Sequence, residues 1–352
     1  MPHTQRSYKN ILQLIADILS FQNSIEDLKL KMCSNTIDWD SFVTIASDHL
    51  VLTTCYCRLS QKGLLIFLPK DLENYLEKLT AINRNRNHSL INQVHHIATI
   101  FNNNNINYTL LKGTALLIGG YFKNLGERMV GDIDILVEEQ HIQKAYDLLI
   151  NDQFKGAKET LRAKYFEDKH LPRLTSSRFI GAVEVHRKVL TKSYKCRLET
   201  KDILQLKTRI ESTSIPCENH LLEHSILNFQ LNDSGYFYNA MSLRSLYDSI
   251  IIIKTIKTFD TDFFELPYAK SYTSIGALFF NDFSTLASNT LYSKLFIRRV
   301  NKPLLRKSTN FILKKIMVVK LLSIRLILFI KNTNYRKDVL KDYKRIILLL
   351  KS

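Results

Sequence analysis

Glycine and proline are scarce in these 352 residues, at 10 and 6. A turn-dense β protein needs more of both, so the shortage favours long helices. Cysteine offers no framework either. Cys33, Cys55, Cys57, Cys196 and Cys217 are odd in number and include no CxxC pair, which argues against a zinc ribbon and a disulfide scaffold and fits reduced thiols in the cytoplasm. Long apolar runs are missing too. The most apolar stretch, FILKKIMVVKLLSIRLILFIK at 311–331, is cut by Lys314, Lys315, Lys320 and Arg325 into runs of about five residues or fewer, against the roughly 20 that a bilayer span needs. It reads as a basic amphipathic helix and not as a transmembrane one. The opening MPHTQRSYKNILQLIADILS carries an apolar stripe interrupted by Gln13 and Asp17, the pattern of an amphipathic helix and not of a signal peptide.

Acidic residues are nearly absent from the last part of the chain. Residues 298–352 hold 16 Lys or Arg against Asp338 and Asp342, so +14 of the net +17 sits there and the rest of the chain carries only +3. The body therefore has no general polyanion-binding signature. The tail is open to three readings: closing helices with outward lysines, a segment lying on anionic membrane, or an RNA contact. Its aromatics, Phe311, Phe329, Tyr335 and Tyr343, are too few for a base-stacking platform, which favours packing or the membrane surface.

What is present is a globular composition, 45% hydrophobic and 24% charged, in a chain long enough for two or three domains. Helical spacing of Ile11, Leu12, Ile15, Ile18 and Leu19 opens a helical region over 1–85. A small α/β core is expected over 86–195. It comprises a helix at 89–103, a strand in YTLLKG (108–113), a helix in TALLIGGYF, the strand DIDILV (132–137) and a helix over 138–152. Two strands around Arg178, within 171–177 and 181–189, complete it. Helices follow over 196–297, and 298–352 forms a basic helical tail. The fold class is α+β, a small mixed sheet with helical flanks, and there is no internal repeat.

The chemistry concentrates in GERMVGDIDILVEEQ (126–140). Strands normally exclude carboxylates, yet Asp132 and Asp134 flank Ile133 and point to the same side. Two like charges held so close need a cation between them. Mg²⁺, with its preference for oxygen ligands and phosphates, meets that need. Glu184, alternating with Val183 and Val185, supplies a third acid if its strand lies beside 132–137. Upstream, the turn at Gly113 and Thr114 enters a helix with free N–H groups suited to phosphate, and Lys112 and Arg128 add positive charge. His186 shares the face of Glu184 and reads as a packed histidine that orients it.

These residues resemble the DNA polymerase β-like nucleotidyltransferase superfamily, which pairs a strand–Gly–small–helix turn with Asp-x-Asp and a distant third acid. They resemble more closely a bacterial branch of uncharacterised nucleotidyltransferases, through LLKG (110–113), Arg128, DIDILV (132–137), EVH (184–186), IPCENHLLEH (215–224) and LRSLYD (243–248). The resemblance covers roughly residues 85–255. The turn here is Gly-Thr where the superfamily usually has Gly-Ser, its gap to Asp132 is longer than in many members, and the third acid is Glu in place of Asp.

The resemblance implies transfer of a nucleoside monophosphate from an NTP such as ATP to an unidentified acceptor (protein, metabolite, sugar or RNA), with release of pyrophosphate. Asp132, Asp134 and Glu184 would be catalytic and would hold two Mg²⁺, with Mn²⁺ as a substitute. Lys112, Gly113, Thr114 and Arg128 would hold the triphosphate. Apart from the resemblance, the cysteines and the basic tail point to a cytoplasmic location, with 298–352 either packed on the body or peripheral to the inner face of the membrane. A second reading keeps the fold without catalysis, as a binding protein at a membrane surface or on a protein partner. HLLEH (220–224) also matches an inverted zinc-peptidase motif, but it lacks an evident third ligand.

Overall fold

The computed structural model describes residues 8–34, 36–157, 160–166, 168–191 and 198–343. Cys196 and the end of the basic tail, 344–352, lie outside them. Four helices open the chain: α1 (Tyr8–Leu19), α2 (Ile25–Cys33), α3 (Trp39–Asp48) and α4 (Leu52–Gln61). Ile11, Leu12, Ile15, Ile18 and Leu19 of α1 are all buried. Asp17 is buried with them because Lys31 Nζ pairs with it at 2.7 Å and Gln13 and Asn23 donate to it.

Next comes α5 (Lys70–Asn103), 34 residues long. It starts well before the helix expected at 89–103 and runs unbroken through residue 85, where the sequence suggested a domain boundary. The opening bundle and the α/β core thus share one helix. The reason lies in its buried polar face. Asn83 Nδ2 donates to the carbonyls of Gly126 and Arg128, and Asn87 Nδ2 to those of Leu125 and Arg128. Gln93 exchanges two hydrogen bonds with the backbone of Gly181. These amides dilute the apolar signal along the helix while fixing the loops that lead to the strands.

The core then alternates strands and helices: β1 (Tyr108–Leu110), α6 (Lys112–Ile118), β2 (Asp132–Val137), α7 (Ile142–Asn151), β3 (Lys155–Gly156), α8 (Leu161–Tyr165), β4 (Leu174–Thr175) and β5 (Ala182–His186). They form one mixed sheet in the order β1-β2-β5-β4-β3. Among the described residues only β2 and β5 pair in parallel, and their register sets Asp134 opposite Glu184. Two glycines permit the close packing around this pair. A Cβ on Gly126 would sit 2.5 Å from the Thr80 carbonyl oxygen, and one on Gly181 would sit 2.5 Å from Leu90 Cδ2.

After α9 (Thr200–Gln205), where helices alone were expected, a hairpin of β6 (Thr208–Ile210) and β7 (Thr213–Ile215) intervenes. Its short, polar strands carry little periodicity. It forms because it shields β1: Ser214 Oγ donates to the Tyr108 carbonyl at 2.7 Å, and Thr109 Oγ1 donates to the Ser214 carbonyl at 3.1 Å. That covers one edge of the sheet. The helical part follows as α10 (Glu218–Leu227), α11 (Gly235–Tyr238), α12 (Leu243–Ile253), α13 (Thr261–Glu265), α14 (Pro267–Gly276), α15 (Leu291–Asn301), α16 (Pro303–Lys331) and α17 (Thr333–Lys341). No residue of α16 is buried, whereas α17 returns to the body. There Tyr335 is buried, and Asp338 accepts from Lys164 and Tyr165 at 2.7 Å each. Among the described residues no helix is long and apolar enough to cross a membrane.

The loop 119–131 is held from the other side by the helical part. Tyr247 OH donates to Glu127, and Arg128 forms a two-pronged pair with Asp248, both bonds 2.8 Å. Both partners of that pair are at least nine-tenths withdrawn from water. Removing one buried partner strands the other charge, so Asp248→Ala should lower stability by about 3–5 kcal/mol. Replacing both, as Arg128→Met with Asp248→Leu, should cost less than the single change. Urea unfolding of the three variants checks the order.

Candidate active site

The site is assembled where β1 ends, β2 begins and β5 runs beside it. Leu111 N still bonds the Asp134 carbonyl at 2.9 Å, continuing the β1–β2 pairing. The chain then turns sharply into α6 through Lys112, whose φ is +52°. A side chain in that left-handed region costs of order 1 kcal/mol. The turn aims the Lys112 ammonium at Asp134, 2.6 Å from Oδ1.

Asp134 is the electrostatic centre. It is buried, and the same Oδ1 takes a second contact from His186 Nε2 at 2.8 Å. Burial alone would raise its pKa, but the His186 hydrogen bond and the Lys112 charge outweigh burial and hold it well below the usual carboxylate range. Lys112 answers in kind. Burial would lower its pKa, and Asp134 raises it above the ordinary lysine value. Glu184 lies beside Asp134, with Oε2 3.4 Å from His186 Nε2 and 3.8 Å from His170 Nε2. The His186 hydrogen bond lowers its pKa against the opposing effect of burial. An imidazole nitrogen facing two carboxylates must carry a hydrogen, so Nε2 is the donor. His186 Nδ1 is buried without a partner among the described residues.

Asp134, Glu184 and His186 each offer a ligand atom within 4.8 Å of the others. The two carboxylates on adjacent strands suit a divalent ion, and His186 could join them as a ligand only by giving up its Nε2 hydrogen. Asp132 stands outside this group. It is half-buried, its carboxylate is paired with Arg173, and burial raises its pKa despite that partner.

The expected phosphate-holding residues are mostly committed elsewhere. Thr114 Oγ1 donates to the Asp132 carbonyl at 3.0 Å. Gly113 packs under Val130 and Arg128, where a Cβ would lie 3.0 Å from Val130 Cγ2. Arg128 is bound to Asp248 at both carboxylate oxygens. Lys112 faces both Asp134 and an open cleft.

That cleft runs from Lys112 between α6 and the α10–α12 region, and Arg128, His224, Asp233, Arg244 and Asp248 help to line it. Asp233, Arg244 and Asp248 were assigned no role from sequence, although LRSLYD contains two of them, and His224 entered only through the HLLEH match. Lys169 was also missed. It is half-buried with its pKa lowered by burial and by Lys112, and its ammonium makes no hydrogen bond among the described residues. Position in sequence gave no signal for it, since it precedes β4 in an irregular stretch. In the HLLEH segment, His224 is buried and His220 lies one turn earlier on α10. Neither joins a group of three metal-capable side chains among the described residues.

Residues 35–265, well over half of the chain, match a family model described as uncharacterised nucleotidyltransferase. The match begins just before α3, includes every strand of the sheet and ends with α13. No curated protein matches the chain.

Two histidines, His224 buried and His49 half-buried, set an acid limit on this structure. Burial pushes His224 down to about 3 and His49 down to about 4, and His49 Nδ1 accepts a hydrogen bond from Leu243 N at 3.3 Å. In the unfolded chain each titrates near ~6.5. Between the two values the unfolded state binds more protons, so stability is full above pH ~6.5 and is lost as pH falls toward the folded values. The thermal midpoint should therefore drop between about pH 6.5 and 4. His49→Asn combined with His224→Asn should flatten that slope, as followed by circular dichroism.

Proposed function

The chain belongs to the uncharacterised nucleotidyltransferase family, and from that premise we propose that it moves a nucleoside monophosphate from an NTP to a hydroxyl-bearing acceptor. The observation that carries the reading is the parallel register of β2 and β5, which sets Glu184 beside Asp134 with His186 between them. The acceptor oxygen attacks the α-phosphorus, the bond to the bridging oxygen breaks, and pyrophosphate leaves with that electron pair. Asp134 stays ionised throughout, because Lys112 and His186 hold it so. Glu184 accepts the acceptor's proton, directly or through one water. Asp134 and Glu184 would hold a divalent ion, Mg²⁺ or Mn²⁺, with His186 keeping Asp134 in place, and the ion would supply charge stabilisation to the phosphates.

Asp132 joins this machinery when Arg173 exchanges partners. The Arg173 side chain is about half exposed, and an exposed ion pair contributes only about 0–1 kcal/mol. An incoming phosphate therefore displaces Asp132 from it at little cost. The division of labour follows the chain: a helical N-terminal part, the core that carries the acids, a helical part that closes the cleft, and the basic tail. The acceptor is a protein side chain, a metabolite, a sugar phosphate or an RNA end.

The full-length chain, incubated with each α-labelled NTP and Mg²⁺ or Mn²⁺, should release pyrophosphate and place label on an acceptor or on itself. Asp134→Asn should reduce this by about 10³-fold or more while leaving the circular dichroism spectrum unchanged. Full activity in that variant removes the reading.

We also propose that α16 rests on an anionic bilayer. Its 29 residues include Arg306, Lys307, Lys314, Lys315, Lys320, Arg325 and Lys331 and no acid. Large apolar side chains such as Ile312, Val319, Leu326 and Ile330 stand 55%, 65%, 59% and 64% exposed. So much uncovered apolar surface calls for a cover, and the uniform positive charge selects an anionic one. The chain should co-sediment with vesicles containing phosphatidylglycerol and not with pure phosphatidylcholine. Lys314→Glu, Lys315→Glu and Lys320→Glu together should abolish the binding. Equal binding to both kinds of vesicle, or to neither, would refute it.

A further inference from the structure

The cleft beside the paired acids holds more hydrogen-bonding capacity than the chain itself uses. Arg244 lies in the first turn of α12 and lines that cleft. Among the described residues its guanidinium makes no hydrogen bond and no close ion pair, although the charges of Asp248 and Asp233 are felt there. The nearby carboxylate of Asp248 is already taken at both oxygens by Arg128. On the same side of the cleft, on α10, His224 is only 3% exposed, and its Nε2 has no partner among the described residues.

The His224 Nε2 is thus withdrawn from water with nothing to meet it among the described residues, while the half-buried Arg244 has donors to spare at the cleft. A buried nitrogen of this kind costs free energy unless a ligand satisfies it. A guanidinium fork matches the paired oxygens of a phosphate. Lys112 links this wall of the cleft to Asp134, since it lines the one and bonds the other. Asp233 lines the cleft as well, with Asn228 Nδ2 3.4 Å from its carboxylate. Its charge makes a bare anion less welcome than a polyphosphate carrying a divalent ion.

Resting on the nucleotidyl-transfer reading, we infer that Arg244 and His224 grip the polyphosphate of the incoming NTP on the far wall of the cleft. Arg244 thereby takes the phosphate contact that the sequence suggested for Arg128. Arg128 instead holds Asp248 and so keeps α12 in place. His224, neutral at working pH, gives or takes a single hydrogen bond, while Arg244 supplies the charge.

The test is calorimetric titration of the full chain with α,β-methylene analogues of the four NTPs in Mg²⁺. Magnesium tripolyphosphate serves as competitor, and each nucleoside alone as a control. In the wild type, tripolyphosphate should displace the analogue. Arg244→Gln should weaken analogue and tripolyphosphate alike by about tenfold or more, corresponding to ~1.4 kcal/mol. Arg244→Lys should recover part of the loss, and His224→Leu should weaken both ligands several-fold. Any nucleoside binding should stay unchanged. Thermal midpoints of the variants establish that they are folded, and the charge-conserving Arg244→Lys still reads the fork if Arg244→Gln does not fold. Wild-type affinity in folded Arg244→Gln or Arg244→Lys overturns the inference and leaves nucleotidyl transfer standing. Failure of the wild type to bind any analogue overturns both.

Discussion

One helix face makes the rest of the site geometry possible. Asn83, Arg86, Asn87 and Gln93 of α5 turn their side chains toward backbone carbonyls that no strand or helix satisfies: those of Leu125, Gly126, Arg128, Val130, Gly131 and Gly181. A buried carbonyl without a partner is costly, and each bond made contributes about 1 kcal/mol net. The consequence is positional. The first five of these residues lead into β2, and Gly181 immediately precedes β5. One rigid rod therefore sets the height of both strands, and through them the register that brings Asp134 and Glu184 side by side. Gly126 and Gly181 fit this contact because a methyl group on either would meet α5.

The second constraint is charge. Asp134 could not be buried alone, since an unpaired carboxylate in the interior would take up a proton. The chain places one cation and one imidazole on it, from two different elements. Lys112 arrives by a left-handed turn that an ordinary side chain avoids, and His186 arrives two residues beyond Glu184 on β5. The strain at Lys112 and the buried, unpartnered Nδ1 of His186 are local departures from an ideal sequence. Departures of this kind gather where a structure serves chemistry more than stability. The two neighbouring acids end in opposite states: Asp134 is held ionised, while Asp132, nearer water, is raised by burial and has an exchangeable arginine partner. Environments that separate the behaviour of adjacent carboxylates are a mark of acid–base sites.

Much of this was legible from sequence for physical reasons. The strand DIDILV shows itself because period-two alternation and a β-branched run are strong local signals, and the same holds for EVH. The mixed sheet with helical flanks follows from the order of those signals. Other features were not legible. The amide face of α5 hides half of that helix, since Asn and Gln read as surface residues until a loop is placed against them. The β6–β7 hairpin exists to cover β1, and nothing local announces it. Arg128 was noticed, but its partner Asp248 lies 120 residues away, a separation that no periodicity reports. Lys169 and Arg173 sit in irregular or two-residue elements, where sequence patterns carry least information.

The helical part does more than flank the core. On α12, Arg244 and Asp248 are four residues apart and so share a face. Asp248 looks to the core and locks Arg128, while Arg244, at the cleft, has no hydrogen-bond partner among the described residues. One turn of helix thus joins the loop that delivers Asp132 to the wall that faces a ligand. Tyr247, between them, binds Glu127 in the same loop. Any shift of α12 on filling the cleft must therefore be felt by residues 127 and 128, and through them at the start of β2. The coupling is physical and contiguous: a guanidinium, a carboxylate, a phenol and a short stretch of backbone, all buried and all hydrogen-bonded. The same bonds that stabilise the junction of the two parts thus hold the acids and the cleft in one fixed relation.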